Sequence, residues 1–378
     1  MPELRVGFNC YLLSPRELRG WGRYTVNLLA KLPEHGIRPI LYSNAPIHPT
    51  HLQRLPCGSF EVQISKPMRY SVWQNLWLPR RLKSDHVDLF HSPMNYGLPF
   101  WAPCPKVLTL HDAIDQVYYL PKTTWRNRLR PALLRSSFEH WTARRYADHI
   151  ITVSQHARDD LISHLSLPPD KITVIYEAAD PLLTTTAANS RQSLLDDRIR
   201  AQSTKYFFYV GGFEDRKNVS FLLEAFAAAA LPETELLLAG ACGFEHASLN
   251  ELARQLGIYE RLRFLGFVPD HDLVRLYQNA IAFIYPSKYE GFGLQLVEAM
   301  SLGTPVLAAR ASCLPEILGD GGRTFSLDAP DELTQLMTNV AIDSTFRTTL
   351  SEHSRSRSQS FSWNITARDT AAVYRAIL

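Results

Sequence analysis

Two glutamates, Glu290 and Glu298, bracket a glycine-rich turn in the second half of the chain. The turn reads Gly291-Phe292-Gly293-Leu294, and its two glycines allow the backbone to approach a ligand closely. An apolar segment, Ala282–Tyr285, leads into the turn, and a helical pattern, Leu294–Ser301, leads out of it. The free N–H groups at the start of such a helix suit a phosphate, and a carboxylate one turn further along suits a pair of hydroxyls. The pattern therefore predicts a nucleotide-sugar site rather than two unrelated glutamates.

A glycine pair followed by two cations begins the same half of the chain. Gly211 and Gly212 follow the apolar segment Tyr206–Val210, and Arg216 and Lys217 precede a helical pattern. Arginine offers a planar fork of donors, and lysine offers a mobile point charge. Two cations at a helix N-terminus are electrostatically unfavourable unless an anion is bound there. We therefore predict an anion site in preference to a solvated polar loop.

The first half of the chain carries two further candidates. Gly20-Trp21-Gly22-Arg23-Tyr24 opens a helical pattern, but it starts about ten residues too late for a G-x-G-x-x-G fingerprint, which argues against NAD. We expect Gly22 to lie in a flexible loop over the cleft, with a plain turn as the alternative. His111 ends the strand Val107–Leu110, at the carboxyl end where catalytic groups gather. A structural histidine fits that spacing equally well.

One acidic motif raises the question of a metal. Asp270-His271-Asp272 has the D-x-D form of some divalent-cation sites, but a helical pattern follows it directly, so we interpret the acids as N-cap and first-turn residues. The sequence contains no HExxH, GxSxG or GxxxxGK[ST] motif. Its five cysteines are scattered without a CxxC pair, which favours reduced thiols over a structural zinc site. We predict no metal and no cofactor.

A regular alternation of short apolar strands and amphipathic helices must position these residues, and it indicates parallel sheets in an α/β fold. The predicted strands are Arg5–Asn9, Pro39–Tyr42, Leu89–His91, Val107–Leu110, His149–Val153, Ile172–Ile175, Tyr206–Val210, Glu235–Ala239, Arg263–Leu265, Ala282–Tyr285 and Pro305–Ala308. A less regular stretch, 183–203, interrupts the alternation. We therefore predict two Rossmann-like doubly wound domains, 1–182 and 204–363, with 183–203 as the linker and the ligand at the carboxyl ends of the strands.

The composition limits the class of protein. With 46% hydrophobic and 20% charged residues, the 378 positions can fill two cores. A net charge of +3 gives no reason to expect nucleic-acid binding. No apolar run approaches the ~18 residues of a membrane-spanning helix, and no signal peptide is visible. We expect a cytoplasmic protein.

Two segments, 66–83 and 122–158, mix basic and aromatic side chains. The second holds eight Lys or Arg residues against two acidic ones, with Trp125, Phe138, Trp141 and Tyr146 interleaved. Such a surface suits peripheral attachment to anionic lipid on the inner membrane face. A solvated face with the aromatic rings turned into the core fits equally well, and both alternatives stay open.

Taken together, these motifs resemble the GT-B glycosyltransferases of the retaining family 4, the group 1 glycosyltransferases. The resemblance rests on Gly20–Tyr24, Val107–Asp112, Ile151–Ser154, Gly211–Asn218 and Tyr289–Met300, and it spans nearly the whole chain. It implies two Rossmann-like domains that face each other across a cleft, and a C-terminal helix, about 364–378, that returns to the N-terminal domain. The chain is most similar to bacterial enzymes that build extracellular polysaccharide.

The resemblance also implies roles for single residues. Arg216 and Lys217 would bind the donor diphosphate, Glu298 the ribose hydroxyls and Glu290 the transferred sugar, while His111 would lie beside the sugar and the acceptor. Further donor contacts would come from Gly22, Gly212, Val268, Gly291, Phe292, Gly293 and Leu294. The catalytic set would be Glu290, His111, Arg216 and Lys217. One departure concerns 176–180, which read Tyr-Glu-Ala-Ala-Asp where relatives often have Asn-Gly.

The implied reaction is metal-independent transfer of a hexose, with retention of configuration, from a nucleotide sugar to a glycan or a lipid-linked saccharide. The pathway would be exopolysaccharide or cell-envelope polysaccharide synthesis. UDP-glucose ranks first as the donor and GDP-mannose second, and Glu290 is expected to position the sugar rather than attack it. The alternatives are a nucleotide-sugar epimerase, a phosphorylase on the same fold, and a non-catalytic subunit that binds sugar nucleotides. The sequence does not fix the base, the acceptor or the oligomeric state.

Overall fold

The computed structural model describes residues 3–18, 20–121, 131–183, 205–241, 243 and 245–378. The chain divides into two compact units. Unit 1 comprises Met1–Glu177 together with Ser362–Leu378, and unit 2 comprises Ala178–Phe361. Most of the predicted linker, 183–203, lies outside the described residues.

Unit 1 is built on a parallel sheet that shows seven strands within the described residues, in the order β3-β2-β1-β4-β5-β6-β7. The strands are β1 (Leu4–Asn9), β2 (Ile37–Ser43), β3 (Glu61–Ile64), β4 (Leu89–Ser92), β5 (Lys106–Leu110), β6 (His149–Thr152) and β7 (Ile172–Val174). The central strands are almost continuously apolar because helices cover both faces of the sheet. Val6, Phe8 and Phe90 are fully buried there.

The helices of unit 1 cover this sheet. They are α1 (Gly20–Lys31), α2 (Pro49–Leu52), α3 (Tyr70–Val72), α4 (Leu78–Ser84), α5 (Pro131–Tyr146), α6 (Gln155–Leu165) and the C-terminal helix (Trp363–Ile377). A π-helical turn, Trp73–Trp77, joins α3 to α4. The start of α6 is fixed by Ser154, whose Oγ accepts a hydrogen bond from the Ala157 amide at 3.0 Å.

The C-terminal helix is part of the core of unit 1. The Oη of Tyr374 lies 2.6 Å from Nδ1 of His91, and Nε2 of His91 lies 2.8 Å from Oγ1 of Thr109. Oη of Tyr24 lies 3.2 Å from the same threonine oxygen. Burial, with a smaller contribution from His111, lowers the pKa of His91 to about 3, so this ring is neutral in the folded protein. A chain of buried hydrogen bonds thus ties the C-terminal helix to β4, β5 and α1.

Unit 2 repeats the architecture with six parallel strands among its described residues, in the order β10-β9-β8-β11-β12-β13. The strands are β8 (Lys205–Val210), β9 (Thr234–Ala239), β10 (Leu262–Gly266), β11 (Ala282–Tyr285), β12 (Val306–Ala309) and β13 (Arg323–Phe325). The helices are α7 (Val219–Ala228), α8 (Glu245–Gln255), α9 (Asp270–Asn279), α10 (Leu294–Ser301), α11 (Leu314–Leu318), α12 (Pro330–Ile342) and α13 (Ser344–Ser358). The predicted fold class, two doubly wound parallel sheets, is confirmed.

Candidate active site

The strand order of unit 2 reverses between β8 and β11, and the loops that follow these two strands meet at this point. The loop after β8 contains a 3-10 turn, Asp215–Lys217. The loop after β11 leads through Glu290 to α10. The amide of Lys288 donates a hydrogen bond of 2.8 Å to the carbonyl oxygen of Arg216, which joins the two loops. The structure therefore brings together the two motifs that the sequence presented 73 residues apart.

Two cations share one carboxylate oxygen in this site. Oε1 of Glu290 lies 2.8 Å from Nη1 of Arg216 and 2.7 Å from Nζ of Lys217. Nη1 of Arg216 also donates to the carbonyl oxygen of Tyr289 at 2.9 Å, and Nζ of Lys217 donates to Oη of Tyr285 at 3.1 Å. The side chains of Lys217, Glu290 and Arg216 are only 8%, 11% and 13% exposed. We call this group the ionic cluster.

The charges of the ionic cluster are strongly coupled. Burial alone would raise the pKa of the Glu290 carboxyl, but Lys217 and Arg216 outweigh it and hold that pKa below its ordinary value. Glu290 is therefore ionised at neutral pH and cannot serve as a proton donor. Burial, reinforced by the charge of Glu290, raises the pKa of Tyr285 well above its ordinary value, so Tyr285 remains a neutral phenol. Nη2 of Arg216 also lies 2.7 Å from Oε1 of Glu214, whose side chain is 40% exposed, so an incoming anion would compete with this more exposed carboxylate for Arg216.

A third loop, which follows β12, holds Glu290 in place. The amide of Glu290 donates to Oγ of Ser312 at 3.0 Å, and the same hydroxyl lies 2.6 Å from the carbonyl oxygen of Glu290. Sγ of Cys313 is 3.2 Å from that carbonyl oxygen. Ser312 adopts a left-handed conformation with φ of 54°. Sequence reasoning missed Ser312, Cys313 and Tyr285. For Ser312 and Cys313, the position of 310–313 directly after a strand marks them as loop residues at the carboxyl edge of the sheet.

Helix α10 begins at the ionic cluster, as the turn motif predicts. Gly293 occupies the N-cap position with φ of 89°, a conformation that glycine adopts without strain. A Cβ atom there would lie 3.2 Å from Cδ2 of Leu314. Leu294 is the first residue of the helix, and Phe292 is buried against the ring of Phe361. Gly291 completes the turn between Glu290 and this helix.

Glu298 lies within α10 and is 5% exposed. Tyr277 of α9 donates a hydrogen bond from its hydroxyl to Oε2 of Glu298 at 3.2 Å. A nearly buried carboxylate that a phenol orients is a fixed hydrogen-bond acceptor, which is the property that a hydroxyl-binding residue needs. The structure thus places Glu290 and Glu298 at the two ends of one helix–turn unit.

The remaining predicted donor contacts lie in other loops at the same edge of the sheet. Gly212 follows β8, and its carbonyl oxygen accepts a hydrogen bond from Tyr209. Val268 is 8% exposed and follows β10. The neighbouring loops approach so closely that a Cβ atom on Gly240 would lie 1.9 Å from the carbonyl oxygen of Gly211. Gly212 lies between β8 and the turn that carries Arg216 and Lys217, and Val268 lies between β10 and α9.

In unit 1, His111 lies at the carboxyl end of β5, as predicted. It is 5% exposed, and its amide donates to Oδ1 of Asn95 at 2.8 Å. Its Nδ1 is 2.9 Å from Oε1 of Glu177, and its Nε2 is 3.2 Å from the carbonyl oxygen of Pro93. Trp21 stacks on the ring with a centroid distance of 5.8 Å. Sequence reasoning assigned no role to Asn95, Glu177 or Trp21.

The prediction of a flexible loop around Gly22 is wrong. Residues Gly20, Trp21 and Gly22 belong to the first turn of α1, and Gly22 is buried. A Cβ atom on Gly22 would lie 2.8 Å from Cδ2 of Leu18. Gly22 therefore packs closely against Leu18 at the start of the helix, and the sequence motif did not distinguish this start from a loop.

The D-x-D motif lies at the start of α9. Asp270 and Asp272 occupy the first turn, as expected, but Pro269 rather than an aspartate takes the N-cap position. Oδ2 of Asp272 is 3.3 Å from Nε2 of His271. Within the described part of the chain, no group of three or more His, Cys, Asp and Glu side chains could hold a metal ion.

The basic and aromatic segments are only partly turned into the core. Trp73 of the first segment is fully buried, whereas Phe138 and Trp141 of the second are 53% and 51% exposed. Residues 122–130 of the second segment lie outside the described residues. Of the helices that the structure describes, none is long and apolar enough to span a membrane.

Comparison with known proteins identifies the family. Residues 18–181 match the family described as Glycosyltransferase Family 4, and residues 192–357 match the one described as Glycosyl transferases group 1. The chain is 30% identical over 299 residues to O-antigen chain mannosyltransferase B of Escherichia coli, which covers 78% of this chain and 76% of the relative. The chain belongs to the group 1 glycosyltransferases.

Further similarities support this membership. This group 1 glycosyltransferase is 30% identical over 345 residues to D-inositol 3-phosphate glycosyltransferase of Corynebacterium aurimucosum, across 86% of this chain and 76% of the relative. Among solved structures, HepE of Anabaena in complex with UDP and glucose superimposes with a TM-score of 0.73 at 21% identity, covering 100% of both chains. The predicted GT-B fold and glycosyltransferase activity are thereby confirmed.

Proposed function

We propose that this glycosyltransferase moves a hexose from a nucleoside diphosphate sugar to a saccharide or lipid-linked acceptor, with retention of configuration and without a metal ion. The observation that carries the proposal is the ionic cluster. Arg216 and Lys217 share the buried carboxylate of Glu290, at the switch point of a doubly wound sheet and next to the N-terminus of α10. This arrangement concentrates positive charge where a diphosphate would leave.

The chemistry follows from charge development. As the bond between the anomeric carbon and the phosphate oxygen breaks, its electron pair goes to the diphosphate, and Arg216 and Lys217 stabilise the new charge. The acceptor hydroxyl forms the new bond to the anomeric carbon on the same face, and its proton passes to the departing diphosphate. Glu290 is ionised and bound by both cations, so its role is to orient the sugar rather than to form a covalent intermediate.

The donor sugar is the finer part of the proposal. The sequence ranks UDP-glucose first, but the relative that is similar over 78% of this chain is named a mannosyltransferase. That name favours mannose, so we now rank GDP-mannose ahead of UDP-glucose. The same relative acts on an O-antigen chain, which supports a polysaccharide or its lipid-linked precursor as the acceptor class.

A donor and acceptor panel tests the proposal. The protein is incubated with GDP-mannose or UDP-glucose and EDTA, with and without lipid-linked saccharides, and nucleoside diphosphate release is measured. We expect release to depend on the acceptor and the product to keep the anomeric configuration of the donor by NMR. Isomerised sugar nucleotide without release would indicate an epimerase, and sugar 1-phosphate formed only with added phosphate would indicate a phosphorylase. Binding without any turnover would indicate a non-catalytic subunit.

We also propose that unit 1 attaches to anionic lipid through an aromatic patch that comprises Phe100, Trp101, Phe138 and Trp141. These four side chains are 44% to 59% exposed, and the nearby Arg144 and Arg145 add positive charge. Exposed rings beside basic residues bind the interface of anionic membranes.

Cosedimentation with vesicles tests this attachment. We expect binding to vesicles that contain phosphatidylglycerol, loss of binding in Trp141→Ser, and no loss in Ile342→Ser, which removes an exposed apolar side chain from unit 2. Equal binding of all three proteins, or no binding by the wild type, would overturn the proposal.

A further inference from the structure

Glu177, the last residue of the first segment of unit 1, is a buried carboxylate with no role in the proposed reaction. It is 3% exposed, and its Oε1 lies 2.9 Å from Nδ1 of His111. The two residues are 66 positions apart in sequence, so only the fold brings them together. An ionised carboxylate is costly to bury without a partner of opposite charge.

The other nitrogen of the His111 ring also faces an acceptor. Nε2 lies 3.2 Å from the carbonyl oxygen of Pro93. A carbonyl oxygen and a carboxylate both accept hydrogen bonds and cannot donate them. A neutral imidazole has one N–H group, so it would turn a lone pair towards one of these oxygens. When Glu177 is ionised, both contacts are satisfied only by a ring that carries a proton on each nitrogen. A protonated Glu177 could instead donate to a neutral ring, so the number of protons on the ring distinguishes the two states.

Two aromatic side chains complete the surroundings of the ring. Trp21 stacks on it at 5.8 Å with an interplanar angle of 24°, and Tyr24 contacts it at 4.9 Å with an angle of 87°. An indole face within about 6 Å of a cation stabilises that cation. The amide of His111 donates to Asn95, which fixes the backbone. These contacts fix the orientation of the ring.

We propose that Glu177 is a positioning residue for glycosyl transfer, whose carboxylate holds His111 as an imidazolium at the carboxyl edge of the unit 1 sheet. This inference rests on the proposed function. With Nδ1 bound to Glu177, the N–H group at Nε2 can exchange the carbonyl of Pro93 for a hydroxyl or phosphate oxygen of a substrate. Glu177 thus acts on the reaction only through His111.

The number of protons on the ring is tested without any substrate. In protein labelled with ¹⁵N-histidine at neutral pH, we expect both ring nitrogens of His111 to carry protons, and the missing signals of His111→Gln assign them. Glu177→Gln should leave one proton on the ring. The matched control is Asp160→Asn, because Asp160 of α6 is also a buried carboxylate, 3.3 Å from Nε2 of His156. A singly protonated His111 in the wild type would overturn the proposal.

A double-mutant cycle tests the route of action. We expect Glu177→Gln to lower kcat by about 100-fold with little change in the KM for the donor, and Glu177→Asp to restore part of it. In the His111→Gln background, Glu177→Gln should change kcat by less than about twofold, because the two residues act as one. Equal losses in both backgrounds would contradict the proposal.

The transfer assay and the ring-proton measurement can fail independently of each other. Absence of transfer by the wild type would refute the proposed function, whereas the ring protons would still report the state of the pair. If Glu177→Gln does not fold, wild type and His111→Gln still decide the number of protons, and Glu177→Asp decides the kinetic arm.

Discussion

Replacement of Glu290 by Gln should lower the stability of the unliganded protein and increase its affinity for a nucleoside diphosphate. The variant keeps the volume of the side chain but removes the carboxylate that Arg216 and Lys217 share, while Glu214 still contacts Arg216. At 2.7 and 2.8 Å, each attraction is about 6 kcal/mol for an effective dielectric constant of about 20. Desolvation offsets most of this, and breaking a buried pair has a net cost of about 3–5 kcal/mol.

Thermal unfolding with and without GDP or UDP measures both the loss of stability and the gain in affinity. Since 1 kcal/mol shifts the Tm of a unit of this size by roughly 2–4 °C, the empty variant should melt about 6–20 °C below the wild type. The diphosphate then takes the place of Glu290 as the anion that both cations share. We expect its Kd to fall by about tenfold, which adds about 1.4 kcal/mol to the stabilisation by saturating ligand. Turnover should nevertheless drop by about 100-fold, because the sugar loses its positioning group.

The control is a carboxylate outside the active site. Glu235→Gln removes the partner of Arg263, a pair outside the site whose arginine is 44% exposed, so it should cost less than about 1 kcal/mol and leave the response to nucleotide unchanged. If the ligand-induced rise in Tm were smaller in Glu290→Gln than in the wild type, Glu290 would not be the counter-charge that the diphosphate replaces.

Three further predictions concern single positions. Gly293→Ala should lower stability by about 1–2 kcal/mol and weaken nucleotide binding in calorimetry, whereas Gly257→Ala, with φ of 69° and no neighbour within 4 Å, should lower stability alone. Arg216→Ala should cut kcat by about 100- to 1,000-fold in the transfer assay, and equal activity in Arg216→Ala and Arg263→Ala would contradict the diphosphate role. Burial holds the pKa of His91 at about 3 in the folded state, compared with about 6.5 in the unfolded state. The neutral ring therefore contributes fully to the free energy of unfolding above pH ~6.5, and this contribution is lost as the pH falls towards 3. Urea titrations at pH 7 and 4.5 should therefore show that the free energy of unfolding falls less steeply with decreasing pH in His91→Gln than in the wild type, by about 1.4 kcal/mol per pH unit below pH ~6.5. An equal pH dependence in the two proteins would disprove this.

The central strands and long helices could be predicted because their apolar periodicity is local. The bounds of β11 and α10 agree residue for residue with the sequence prediction. The two strands that were missed, β3 and β13, lie at the outer edges of the sheets. An edge strand is covered on fewer sides, so β3 keeps Glu61 and Gln63 half-exposed and lacks the continuous apolar run that marks a central strand.

The active site was predictable to the extent that its chemistry lies within short motifs. Arg216, Lys217 and Glu290 could be named because each lies directly after a strand and before a helix. Their shared geometry could not be deduced, since it depends on which strands are neighbours. Ser312 and Glu177 were missed for the same reason, because each supports a residue that is distant in sequence.

Unit 1 takes its core from both ends of the chain, and this has a consequence for biosynthesis. Residues 178–361 are contiguous, so unit 2 can fold as soon as they leave the ribosome. Unit 1 must wait, because Tyr374 reaches His91 only after the whole of unit 2 has been synthesised. During that interval, the side of the sheet that receives the C-terminal helix lacks its cover, including the side chains of Trp363 and Tyr374, which are buried in the finished fold. The nascent N-terminal half therefore exposes apolar surface that chaperones bind, and its protection depends on the speed with which the rest of the chain is made.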